Sequence, residues 1–187
     1  MKGRGKNNLP KTKPSRKCLI GGWPCGLPPI FLHMKAFLSS LGFIFASLLV
    51  GYISMLLQSD SLITWYPLLQ KSALTPPGIV FSLVWGVLYI LMGLSAGIVW
   101  SARTPSTWVL MMLFAVQLFM NLLWTFCFFF MQQPLVAFVV LIALFLTVAA
   151  YVVGCYSQRP LAAYLNVPYL LWLLFAAYLN GYVVVYN

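Results

Sequence analysis

From residue 36 onward the chain is a succession of long apolar runs separated by short polar breaks, at about residues 36–57, 78–101, 107–131, 135–157 and 161–184. A helix needs about 20 mainly apolar residues to cross about 30 Å of hydrocarbon, and each run is long enough. The breaks Thr75-Pro76-Pro77, Arg103-Thr104-Pro105, Gln132-Gln133-Pro134 and Gln158-Arg159-Pro160 each place proline at or just before a helix start, where its missing N–H costs nothing. The pattern predicts an all-α membrane protein, a bundle of five transmembrane helices whose short connections make neighbours antiparallel. Residues 35–187 then form one membrane domain, with the lipid bilayer as its solvent.

The segments outside the runs differ in character. Residues 1–34 mix Lys, Arg, Gly, Pro and Asn without periodicity, a composition that favours a disordered tail. Met34-Lys35-Ala36-Phe37, where the ordered pattern begins, offers an alternative start at Met34. Only the first connection, 58–77, is long, and it carries Asp60, Trp65, Tyr66 and Lys71. An aromatic loop of this kind is either a structured lid or an anchor in the headgroup layer.

Composition supports the membrane reading, with 6% of residues charged and 63% hydrophobic. The net charge of +10 resembles a nucleic-acid signature until its location is read. Eight of the basic residues, Lys2 to Lys35, precede the first run, and only Lys71, Arg103 and Arg159 follow it. That is a topology signal, not a nucleic-acid site, and it places the N-terminus in the cytoplasm with Lys71 alone outside. A bacterial cell membrane is the expected location.

The titratable inventory excludes much chemistry. One histidine, in the tail, and one acid, in the loop, cannot build a catalytic triad or a carboxylate pair. No Gly-rich phosphate loop exists, and the five runs hold no ionisable acid, base or cation for coupled transport. The four cysteines lack metal-site spacing, so no metal is expected. What remains is aromatic surface with occasional amides, which either fills a bundle or grips a flat apolar ligand. Asn121 and Trp124, three apart, share a helix face. Pro168 should kink the fifth helix. Gly93 and Gly97 allow close helix contact, within the chain or across a dimer, and the contact within the chain is favoured.

Several stretches together resemble the TspO/MBR family, the tryptophan-rich sensory proteins related to the translocator protein or peripheral benzodiazepine receptor. They are Trp65-Tyr66-x-x-Leu69-Gln70-Lys71, Pro76-Pro77 and Val84-Trp85-Gly86-x-Leu88-Tyr89-x-x-Met92-Gly93. Asn121-x-x-Trp124, Phe128-Phe129, Pro160-Leu161-Ala162-Ala163, Pro168-Tyr169-Leu170-x-Trp172-x-x-Phe175 and Leu179-Asn180 follow in family order. The resemblance implies a five-helix bundle, often a homodimer, with a pocket beneath the first loop that binds porphyrins and benzodiazepine-type ligands. By motif, Trp65 would lie over the ligand, and Asn121, Trp124, Trp172 and Ala176 would line the pocket.

The implied function is a membrane receptor or sensor for tetrapyrroles such as protoporphyrin IX or haem, with no cofactor required. Two alternatives accompany it. One is light- and oxygen-dependent porphyrin degradation, with Trp65 as the catalytic residue; the other is uncoupled porphyrin transport. The chain departs from the family pattern at Ser72, Leu74 and Val140. It also lacks a basic residue after Tyr182, which argues against sterol as a partner.

Overall fold

The computed structural model describes the backbone from Pro29 and the side chains from Phe37 to Asn187. The expected disorder of residues 1–28 therefore lies outside the described residues. Six helices follow in order: α1 (Pro29–Thr64), α2 (Gly78–Ala102), α3 (Thr107–Thr125), α4 (Pro134–Tyr156), α5 (Pro160–Tyr164) and α6 (Val167–Tyr186). Among the described residues five helical segments are long and apolar enough to span a membrane, α5 and α6 together making the fifth.

Three boundaries differ from the sequence pattern, each for a local reason. α1 starts at Pro29, inside the stretch expected to be disordered, and runs to Thr64 instead of stopping near residue 57. Along its polar end the hydroxyls fold back on the helix's own carbonyls, Ser59 Oγ to Leu56 O at 2.9 Å and Thr64 Oγ1 to Asp60 O at 3.0 Å, while the buried Ser61 Oγ donates across to Phe129 O and packs this end into the bundle. Pro67 then ends the run, and the loop shrinks to 65–77.

The fifth span is interrupted, not merely kinked. Pro168 has no N–H for the carbonyl of Tyr164, so the chain breaks at Leu165 and Asn166 before α6 begins. Finally, α3 passes into a π-helical turn, Phe126–Phe130, closed by Met131 N–H to Phe126 O at 2.9 Å. The wider turn lets Cys127, Phe128 and Phe129, three consecutive side chains, all be buried.

The helices form a ring. α1 lies between α2 and α3, α3 meets α4, α4 packs on α5 and α6, and α5 closes the ring on α2. The α1–α2 seam is made of small residues. Ser40, Ser47, Ser54 and Ser61 recur every seven positions along α1, and all are buried. Gly93 and Gly97 face this helix directly, since a Cβ on Gly97 would lie 2.5 Å from Ser40 Cα and one on Gly93 would meet the Ile44 backbone. The Gly93/Gly97 pair is thus used within the chain.

Opposite the loop, the bundle is tied by polar contacts. Ser95 Oγ donates to Ala162 O at 2.8 Å and lies 3.2 Å from the Tyr151 hydroxyl. Asn166 Nδ2 donates to Ala162 O at 2.9 Å. Thr104 joins Thr107 and Gln158, which links the α2–α3 and α4–α5 turns and brings Arg103 and Arg159 to the same end.

Candidate functional site

At the loop end the helices part around a cavity of about 220 Å³ between α1, α2 and α3. α1 supplies Gly51, Tyr52, Ser54, Met55 and Gln58. α2 supplies Phe81, Ser82, Trp85, Gly86 and Tyr89, and α3 supplies Asn121, Trp124 and Thr125. A smaller cavity of about 30 Å³ lies directly under the loop, bounded by Tyr66, Lys71, Phe128, Phe129, Ala176 and Asn180. Phe81 and Trp124 line both, so two side chains form the partition between them.

The walls are built by helical spacing. Phe81, Trp85 and Tyr89 stand four residues apart on α2 and present one aromatic stripe, with ring centroids 6.2 Å and 5.7 Å apart along it. Across the cavity Trp85 stacks on Trp124 at 6.2 Å, and Trp124 stacks on Phe128 at 5.7 Å. Gly51 makes room for this stripe, because a Cβ there would sit 2.6 Å from the Tyr89 ring.

The polar groups are few and uncharged. Asn121 Nδ2 donates to the Tyr169 hydroxyl at 2.6 Å and to Gln117 O at 3.0 Å, while its Oδ1 has no partner. Trp124 Nε1 donates to Asn180 Oδ1 at 3.1 Å. The Trp85 indole N–H is buried without a partner, as are both side-chain polar atoms of Gln117. Buried polar atoms without partners cost about 1–3 kcal/mol each, so Asn121 and Trp85, both in the cavity wall, hold hydrogen-bonding capacity in reserve. Lys71 is the cation nearest the site, with Nζ 3.2 Å from Tyr66 O and 4.6 Å from the Tyr66 ring centre. Burial pushes the Tyr66 phenol above its ordinary range.

The loop is fastened over the site. Gln70 N–H donates to Asn187 Oδ1 at 2.8 Å, and Asn187 Nδ2 returns a bond to Gln70 O at 3.2 Å. The Ser72 hydroxyl lies 3.0 Å from that of Tyr178, and Leu74 N–H donates to Ser72 Oγ at 3.2 Å. The Ser72 hydroxyl thus gives the loop its own tie to α6.

The five residues singled out from the sequence do not converge on one cavity. Asn121 and Trp124 line the larger one, and Trp124 and Ala176 the smaller. Trp65 lines neither; it packs edge-on against Phe128 at 5.7 Å. Trp172 borders an apolar cleft of about 500 Å³ between α2 and α6 and touches Phe81 at 5.6 Å. Sequence reasoning missed Phe81 and the α1 wall. The i, i+4, i+8 aromatic stripe and the seven-residue serine repeat were the available signals.

Comparison with known proteins agrees with this architecture. The chain is 36% identical over 143 residues to the tryptophan-rich protein TspO of Archaeoglobus fulgidus, covering 73% of this chain and 89% of that one. It is 35% identical over 144 residues to the translocator protein of Homo sapiens, covering 75% and 85%. It is 38% identical over 116 residues to the tryptophan-rich sensory protein of Cereibacter sphaeroides, covering 62% and 72%. The TspO/MBR family profile matches residues 43–186, which include every residue lining the cavity, and the chain belongs to the TspO/MBR family.

Proposed function

We propose that this multi-pass membrane protein is a receptor or sensor that binds tetrapyrroles such as protoporphyrin IX or haem, and benzodiazepine-type ligands, in the aromatic cavity beneath the 65–77 loop. The observation that carries the reading is the facing pair of indoles, Trp85 and Trp124, above the amide of Asn121. Stacked indoles suit a flat conjugated ring, and a neutral amide with a free acceptor suits its polar atoms. The cavity is smaller than the roughly 300–1,000 Å³ usual for ligand sites, and the space under the loop adds only about 30 Å³, so occupancy requires the cavity walls to move apart as well as the Phe81–Trp124 partition. Lys71, bordering the smaller space, then supplies a positive charge for an acidic edge of the ligand.

Absorbance titration of purified protein with protoporphyrin IX tests this. Saturable binding, weakened by Trp124→Ala, is the expected result; binding no tighter than to empty detergent micelles overturns it. Degradation of porphyrin by light and oxygen is the second reading. It is favoured by the path of ring contacts from Trp65 through Phe128 to Trp124, which gives Trp65 indirect access to a ligand it does not touch. Under illumination, Trp65→Phe should then slow degradation without changing affinity.

The orientation follows the charges. Arg103 and Arg159 share the end opposite Lys71, which supports a cytoplasmic N-terminus. Protease or thiol-label accessibility of the loop in sealed cells checks it.

A further inference from the structure

A ligand that occupies the cavity needs a way in, and the loop is not an obvious one. Three hydrogen bonds hold it shut, two between Gln70 and Asn187 and one between Ser72 and Tyr178. The α2–α6 cleft is also blocked, by the Phe81–Trp172 ring pair.

A third side is different. The larger cavity is lined at once by Asn121, 1% exposed, and by Tyr52 and Met55, which are 56% and 51% exposed on the lipid-facing surface of α1. One continuous space thus reaches from the buried amide to the bilayer, between α1 and α2. Ser82 and Gly86 form its α2 edge.

Gly86 identifies this gap as more than loose packing. In the seam below it Gly93 and Gly97 are demanded by contact, since a side chain at either would strike the α1 backbone. A Cβ on Gly86 would meet nothing within 4 Å. Glycine inside a helix costs about 0.5–1 kcal/mol relative to alanine, and here no neighbour requires it. Its effect is to leave the gap open.

We propose that the cavity is filled and emptied sideways through this window, framed by Tyr52, Met55, Ser82 and Gly86, by flat apolar molecules already dissolved in the bilayer. The inference rests on the reading of the cavity as a ligand site. It identifies the substrate class by route: a molecule that partitions into lipid, turns its apolar face to Tyr52 and Met55, and brings a polar atom to Ser82 and then Asn121.

The test uses the full chain in lipid vesicles, with protoporphyrin IX in the same bilayer and its absorbance change followed after mixing. Gly86→Leu has room to fold and fills the window. It should slow association by about tenfold and slow dissociation as well. Tyr52→Ala widens the window and should speed both steps. Leu171→Trp in the α2–α6 cleft and Asn187→Ala at the loop tie should leave both rates unchanged.

Association by Gly86→Leu at the wild-type rate overturns the window, as does faster dissociation alone, which marks a side chain crowding the cavity. Faster association in Asn187→Ala redirects the route to the loop and overturns it as well. If the wild type itself never binds the probe saturably, the ligand-site reading fails and takes the window with it.

Discussion

The two ends of the bundle are built on opposite rules. Away from the loop, Gly93 and Gly97 bring α2 onto the α1 backbone, and Ser95 binds both Ala162 O and the Tyr151 hydroxyl. At the loop end the same two helices separate, aromatic rings replace small residues, and several polar atoms stay unbonded. The contrast teaches that the fold concentrates its rigidity at one end. The other end can then rearrange around a ligand without loosening the whole.

The sharpest way to break the comparison is to overfill the tight end. Gly97→Leu forces a side chain into Ser40 and should cost about 3 kcal/mol or more, a fall in Tm of about 10 °C in detergent. Gly86→Leu, eleven residues away on the same helix, should lower Tm little or raise it; equal losses at both sites would erase the distinction. At the open end Trp124→Ala should weaken protoporphyrin IX binding by about tenfold or more, measured by titration, because it removes the wall shared by both cavities.

Smaller effects refine the picture. Ser95→Ala deletes a hydrogen bond to Ala162 and the contact with the Tyr151 hydroxyl, and should cost about 1–2 kcal/mol by thermal denaturation. Asn187→Ala removes both bonds to Gln70 at an exposed site and should cost about 0.5 kcal/mol. Its clearer signature is faster hydrogen exchange confined to 65–77, with α2 unaffected.

Much of this was legible in the sequence, because prolines and apolar runs act locally. Pro77, Pro134 and Pro160 mark helix starts correctly, and the three-residue spacing of Asn121 and Trp124 puts both on the cavity wall. The end of α1 was not legible, since Gln58, Ser59, Asp60 and Ser61 have loop composition, while in the fold Ser61 is buried and donates to Phe129 O on the π turn. Trp172 and Ala176 lie one turn apart in α6, yet Trp172 borders the α2–α6 cleft and Ala176 the smaller cavity, a difference that the motif carrying both does not encode. Nothing in composition distinguishes Trp65 packed on Phe128 from Trp65 over a ligand.

The π turn at Phe126–Phe130 carries a consequence of a different kind. Such a turn is an α-helix with one residue too many, so the inward placement of Phe128 and Phe129 depends on chain length as much as on residue type. Deleting one residue there would restore an ordinary helix and rotate the following rings by about 100°. Variation in this protein's site is thus open to a route substitution cannot take: a single codon lost or gained would redraw the cavity ceiling while every neighbouring side chain kept its identity.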